Sequence, residues 1–167
     1  FVLRKKAKSK ISKIAIVGKK TVAVRIPKHK AARSLLSILK FPLAAPSANI
    51  ASKLSPTSAK DVLDEFGNKI KFILDGGQSQ IGLESTIIDL TGKPTILRPG
   101  SITVKKIRKV LKQRIQIKKK LKIIKSPGQF KLHYSPGIPV KMNQKYAEKN
   151  QALIGFGKKF KSKKKSF

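Results

Sequence analysis

The chain has no cysteine and no tryptophan, a single methionine, two histidines and only seven acidic residues in 167. Without cysteine there is no disulfide scaffold, no thiolate metal site and no cysteine nucleophile. Two histidines and seven carboxylates are too few for a dedicated metal cage, so no metal ligand is assigned. The apolar runs are short, which excludes a membrane-spanning helix. No signal-peptide pattern opens the chain. Residue 1 is Phe, and Phe1-Val2-Leu3 reads as a strand already under way, so a fragment cut at its N-terminus is expected.

Apolar residues make up 40% of the chain, which rules out a fully disordered tail. The length suits one domain with a real core, or one domain plus a piece of another. Lys and Arg total 40, giving a net charge of +33. Such a surface attracts polyanions at low salt. Yet 34 of those cations are Lys and 6 are Arg, and phosphate and base recognition favours the arginine fork. A lysine excess on every surface fits compositional drift as well as it fits nucleic-acid binding. The acids are not spread evenly. Residues 1–60 and 90–147 hold none, whereas Asp61, Asp64, Glu65, Asp75, Glu84 and Asp89 fall in one stretch.

Residues 14–17 (IAIV) and 21–26 (TVAVRI) read as strands around a turn at Gly18, and Pro27 ends the second. Residues 29–40 place Ala32, Leu35, Leu36 and Leu39 at helical spacing. Leu43-Ala44-Ala45 reads as a short strand, followed by the small-polar stretch 47–57. Thr57 opens a second helix that Gly67 stops. Residues 70–75 and 84–90 read as strands, and 94–98 completes a hairpin with the latter. A third helix follows, capped by Ser101 or Thr103, with Ile107, Val110 and Leu111 as its stripe. Residues 115–125 are either a solvated strand or a helix tail. Residues 126–140 have linker composition, but Phe130 and Tyr134 imply that they dock. Residues 152–156 read as one further strand. The order gives a mixed-sheet α/β or α+β fold.

The chemistry-bearing segment is the loop after Ala45. Ser47, Asn49, Ser52, Ser55 and Thr57 offer short donors and acceptors between prolines, in a place that suits an anion. An ordinary capped turn has the same composition. Arg25 and Arg98, two of the six arginines, suit a carboxylate or phosphate clamp, or a solvated edge. No catalytic triad, phosphate-binding loop or dinucleotide fingerprint is present, so no catalytic residue is assigned. Asp75 and Glu84 show no pairing signal, and His29 reads as a surface residue.

Six segments in order resemble one family: TVAVRIPKH (21–29), PLAAPSAN (42–49), SPT (55–57), ILDGGQSQIGLESTIIDL (73–90), ILRPGSIT (96–103) and SPGQFKLHYSPGIPV (126–140). They are similar to the YrdC-like threonylcarbamoyl-AMP synthases in the long form that carries an extra C-terminal domain. The resemblance implies a twisted mixed sheet with flanking helices, related to dihydroxybutanone-phosphate synthase. It implies a YrdC-like domain over 1–125, a linker over 126–140 docking on the active site, and the start of a C-terminal domain over 141–167. The implied activity condenses L-threonine, bicarbonate and ATP, with Mg²⁺ on the nucleotide, into threonylcarbamoyl-AMP and pyrophosphate. The group then passes through partner transfer proteins to adenosine 37 of tRNA, in the cytoplasm, with no membrane involved. By resemblance Thr21, Ser47, Asn49, Ser55 and Arg98 contact ATP, with His133 or Tyr134 closing over it. Arg25, Ala45 and Ser85 hold threonine.

Three departures accompany the likeness. The family's Ser-Gly after the Ser-x-Asn element is Ala51-Ser52 here. The family's first third, with a Lys-x-Arg phosphate grip, has no match, so low activity of this chain alone is expected. The C-terminal domain stops after its first strand. A second reading is a non-catalytic basic RNA-binding module of the same fold. A third, a carbamoyl-transfer domain of hydrogenase maturation, is disfavoured by the LHYSP linker.

Overall fold

The structure is a computed structural model and describes residues 1–117 and 137–155. The chain divides into two compact units, Phe1–Ser135 and Pro136–Phe167. In the first, five short strands form one mixed sheet: β1 (Val2–Arg4), β2 (Thr21–Ala23), β3 (Ile87–Asp89), β4 (Thr95–Arg98) and β5 (Gln116–Ile117). Their order is β2-β1-β3-β4-β5. β1 runs antiparallel to β2 and parallel to β3, while β4 is antiparallel to β3 and parallel to β5. Three helices accompany it: α1 (Lys30–Ile38), α2 (Ala59–Phe66) and α3 (Val104–Leu111).

The core forms where the most apolar strands meet α3. Ile88, Ile96 and Ile115 are buried, and Leu90, Val104, Ile107 and Leu111 pack against them. The sequence places Ile107 and Leu111 correctly, but Val110 is 80% exposed, because the stripe turns through Val104 instead. Thr103 caps this helix by accepting from the Lys106 amide. Ile96 and Leu97 are adjacent in β4 and both buried, which departs from strand alternation. Ile87 pairs with Arg98 and Ile88 with Ile96, leaving Leu97 as the extra residue of a bulge. Such a bulge bends the strand and re-aims the residue beyond it, here Arg98.

Several expected strands are not strands. Ile14–Ile16 is a 3₁₀ turn, with Val17 and Gly18 both in the left-handed region and only Ile16 buried. The strand expected over 21–26 stops at Ala23, so Arg25 lies beyond the strand rather than on it. Residues 43–45 and 70–75 join no ladder, and Leu43, Phe72 and Leu74 are exposed. The strand over 84–90 shortens to β3. β-propensity supplies a side chain that fits a pleated surface, but a neighbouring backbone must satisfy the N–H and C=O groups. Of the two alternatives at 115–125, the structure shows the solvated strand at Gln116–Ile117, both residues exposed; residues 118–125 lie outside the described residues.

The N-cap of α2 lies one residue later than Thr57. Ser58 is its N-cap and forms a capping box with Asp61, and Gly67 ends it as expected. In the second unit the described residues 137–155 contain turns and no strand, so the strand expected over 152–156 is absent at 152–155. There Glu148 takes an ion pair from Lys141 at 3.4 Å and a hydrogen bond from the Gln151 side chain at 2.9 Å. Most of the expected docking linker, with Phe130, His133 and Tyr134, lies outside the described residues.

Candidate functional site: a cleft between the hydroxyl loop and the end of β4

An open cleft of about 1620 Å³ lies within the first unit. Its walls are Arg25, Lys28, His29 and Lys30 leading into α1, Pro46, Ser47 and residues 54–57 of the hydroxyl loop, residues 76–85, and Arg98-Pro99-Gly100 after β4. Five of the residues singled out from sequence meet here: Arg25, Ser47, Ser55, Ser85 and Arg98. Thr21, Ala45 and Asn49 do not line the cleft. Thr21 pairs with Arg4 inside the sheet, and Ala45 lies next to the lining residue Pro46.

Asn49 has a different task. Its Nδ2 donates to the carbonyls of Ile50 at 2.9 Å and Lys53 at 3.0 Å, so it ties the loop to itself. Its buried Oδ1 has no hydrogen-bond partner among the described residues. Glu65 of α2 holds the same loop, accepting the Ile50 amide at 3.1 Å with Lys53 at 3.6 Å. The loop carries two non-glycine residues in the left-handed region, Ala48 (φ 55°) and Ser52 (φ 73°). Ser52 stands where the resembling family has glycine, and the backbone keeps the conformation that glycine favours.

The opposite wall is built by turn chemistry. Asp75 accepts the Gly77 amide at 2.7 Å, and Gly77 has φ 75°, which only glycine adopts without strain. The Ser79 amide donates to the Thr57 carbonyl at 2.7 Å and joins this wall to the hydroxyl loop. Gly100 passes so close to Thr86 N and Glu84 O that a Cβ there would collide with backbone.

Two residues that the sequence reading set aside take part. His29 is exposed, as expected, yet it lines the cleft, and its ring fills the space beside Gly76, 2.8 Å from where a Cβ would stand. Glu84 accepts from Ser55 Oγ at 2.5 Å and pairs with Arg98 Nη2 at 3.5 Å. Arg98 Nε also donates to the Ser85 carbonyl at 3.0 Å. The sequence signal for Glu84 was its rarity: in a chain with seven acids, each retained carboxylate has a reason to be sought. Arg25, Lys28 and Lys30 have no carboxylate partner among the described residues. That end of the cleft is therefore cationic and suits an anion. Among the described residues no three His, Asp or Glu side chains group to hold a metal. No described helix is long and apolar enough to cross a membrane.

A family model for Sua5, YciO and YrdC proteins, described as telomere recombination, matches residues 1–100. A second, for the threonylcarbamoyl-AMP synthase C-terminal domain, matches residues 102–166. That match includes α3, which packs on the core of the first unit. The chain is 43% identical over 136 residues to threonylcarbamoyl-AMP synthase of Pyrococcus abyssi, covering 78% of this chain and 40% of that protein. It is 40% identical to the Schizosaccharomyces pombe enzyme of that name, over 83% of this chain and 36% of the relative. The crystal structure of P. abyssi Sua5 complexed with L-threonine superposes with a TM-score of 0.72 at 42% identity, over 80% of this chain and 41% of that one. A variant of the same protein, with an adjacent His and Tyr replaced by Ala, gives 0.68 at 43% identity, over 77% of this chain and 39% of that one. The chain thus spans about 40% of the length of the relatives it matches.

Proposed function

The chain belongs to the Sua5/YciO/YrdC family, and from that premise we propose that it carries part of the active site of an L-threonylcarbamoyladenylate synthase. One observation carries the reading: Arg25, Ser47, Ser55, Ser85 and Arg98, from five separate segments, line one cleft. Arg25 at the cationic end holds the threonine carboxylate, with Ser85 and the backbone of Ala45 completing that pocket. Ser47, Ser55 and Arg98 face the nucleotide. Thr21 and Asn49 do not line the cleft, and Asn49 acts on the site by shaping the hydroxyl loop that carries Ser47 and Ser55. His133 and Tyr134 close over it; they are the chain's one His-Tyr pair, the type of pair replaced in the P. abyssi variant. Mg²⁺ enters on the ATP phosphates, because Glu84, the one acid lining the cleft, is engaged with Ser55 and Arg98.

In this mechanism the threonine amine and bicarbonate give a carbamate and water, and the carbamate oxygen attacks the α-phosphorus while pyrophosphate leaves. The step needs alignment and charge stabilisation rather than a protein nucleophile. The product's threonylcarbamoyl group is destined for tRNA in the cytoplasm through partner transfer proteins. Residues 1–125 form the synthase domain in this reading, 126–140 its linker and 141–167 the start of the following domain. The test is pyrophosphate release from ATP, threonine and bicarbonate by the full-length protein and by this chain. Arg25→Ala in the full-length protein should raise the threonine KM about tenfold or more, the size of a lost charge-assisted contact. An unchanged KM removes Arg25 from the threonine site.

The second reading, a non-catalytic RNA-binding module, draws on the net charge of +33. Its affinity would collapse between low and moderate salt, whereas threonine and ATP binding would not.

A further inference from the structure

Glu84 is the one carboxylate among the residues lining the cleft, and it bridges two walls. Oε1 accepts the Ser55 hydroxyl at 2.5 Å from the hydroxyl loop, and Oε2 lies 3.5 Å from Arg98 Nη2 at the end of β4. The Glu84 and Arg98 side chains are 24% and 15% exposed, so water screens the pair only in part. Arg98 is held a second time, through Nε to the Ser85 carbonyl at 3.0 Å. Its remaining N–H groups have no acceptor among the described residues.

Two consequences follow from donor counting. A serine hydroxyl has one hydrogen to give and two lone pairs. With that hydrogen on Glu84, Ser55 can only accept from a ligand. Its partner must then be a ligand hydroxyl or amine, not a phosphate oxygen. Arg98, half neutralised by Glu84 and fixed at two points, keeps an aimed set of donors without the full attraction for phosphate that Arg25, Lys28 and Lys30 retain. The cleft thus has a cationic end for anionic groups and a near-neutral end built around Glu84.

We infer that Glu84 is a positioning residue that sets Ser55 as an acceptor and Arg98 as an oriented donor for the nucleoside part of the nucleotide. This rests on the proposed synthase reading, and the experiment separates the two. In the full-length protein, ATP binding is measured by calorimetric titration and pyrophosphate release gives KM for ATP and for threonine. Glu84→Ala should raise the ATP KM about tenfold, as expected for a lost charge-assisted contact, and the threonine KM less than about twofold. Glu84→Gln keeps an acceptor for Ser55 and the side-chain volume, so its defect should be smaller. It also covers the case in which Glu84→Ala fails to fold. Arg98→Ala should cost much less in the Glu84→Gln background than in the wild type, because the two residues act as one unit. A purely structural role would move both KM values together and leave the Arg98 and Glu84 effects additive. Wild-type ATP affinity in Glu84→Ala, a parallel rise in both KM values, or additive effects would overturn the inference while leaving the synthase reading intact. If the wild type neither binds ATP nor releases pyrophosphate, the synthase reading fails and takes this inference with it.

Discussion

Residues 61–89 carry six of the seven acids and residues 1–60 carry none, and the two stretches use charge in different ways. In the acidic stretch the carboxylates hold backbone. Asp61 accepts from the Thr57 amide at 2.8 Å, the Thr57 hydroxyl at 3.0 Å and the Ser58 amide at 3.0 Å. Asp75 holds Gly77, Asp89 holds Thr91, Glu65 holds Ile50, and Glu84 joins Ser55 to Arg98. Among the described residues the exceptions are Asp64, paired with Lys60 on the surface, and Glu84, whose two partners are side chains. In the basic stretch Lys6, Lys8 and Lys10 make no side-chain bond among the described residues. The reason is chemical. Turns and helix starts leave orphan N–H groups that a short carboxylate can accept. A lysine ammonium is well hydrated on a flexible stem and gains little from a fixed partner.

The sharpest way to break this contrast is to remove the buried acid. Asp89 is 6% exposed and accepts from both the amide and the hydroxyl of Thr91, at 2.9 and 2.6 Å. Asp89→Ala should destabilise the first unit by about 1–3 kcal/mol, since it strands the half-buried amide and hydroxyl of Thr91. Chemical denaturation measures this, and a loss below about 0.5 kcal/mol would mean the turn holds without its carboxylate.

Ser58→Ala removes the cap of α2 and should cost about 1 kcal/mol by the same measurement. The cap also gives a pH dependence. The Thr57 amide, then the Thr57 hydroxyl and Ser58, hold the Asp61 carboxyl below its ordinary range. A carboxyl with a depressed native pKa stabilises the fold above its unfolded pKa and loses that contribution as pH falls through the native value. Melting temperature should therefore fall below about pH 4, and Asp61→Asn should flatten that fall. An identical acid profile for Asp61→Asn would assign it to other carboxylates.

Ser52→Gly tests the loop in the opposite direction. A non-glycine residue at φ 73° is strained, so glycine should stabilise the fold by about 0.5–1 kcal/mol. Destabilisation would show that the Ser52 side chain contributes more than its backbone costs.

The smallest effect belongs to the lysines. Replacing Lys6, Lys8 and Lys10 together by Gln should change stability by less than about 0.5 kcal/mol. Retention on a polyanion column at low salt should nevertheless weaken. A large loss of stability would place these lysines in structural contacts and end the contrast with the acids.

The local signals were legible where one stretch of chain carries its own reason. Gly67 ends α2, Thr103 caps α3, and the hairpin of β3 and β4 follows from two β-rich runs around the Thr91-Gly92 turn. The cleft arginines Arg25 and Arg98 stood out because arginine is scarce here. What was not legible depended on a second stretch. Residues 43–45 and 70–75 have strand composition and no ladder, because pairing needs a backbone that local sequence does not name. Val110 has the right spacing and faces water, because the packing partner, not the period, chose which stripe of α3 is buried.

By itself the sequence determined the chemistry available: no thiol, hydroxyls and arginines near turns, and six of the seven acids in one stretch. Propensity, capping and composition act over a few residues, so they can be read along the chain. Tertiary structure alone decided which of those groups meet. Ser55 and Glu84 are 29 residues apart in the chain and share one hydrogen bond, and Arg98 joins them only because the Leu97 bulge and the Gly100 turn bring β4 to the cleft. Those contacts depend on packing between distant segments, and a linear pattern has no term for distance in space.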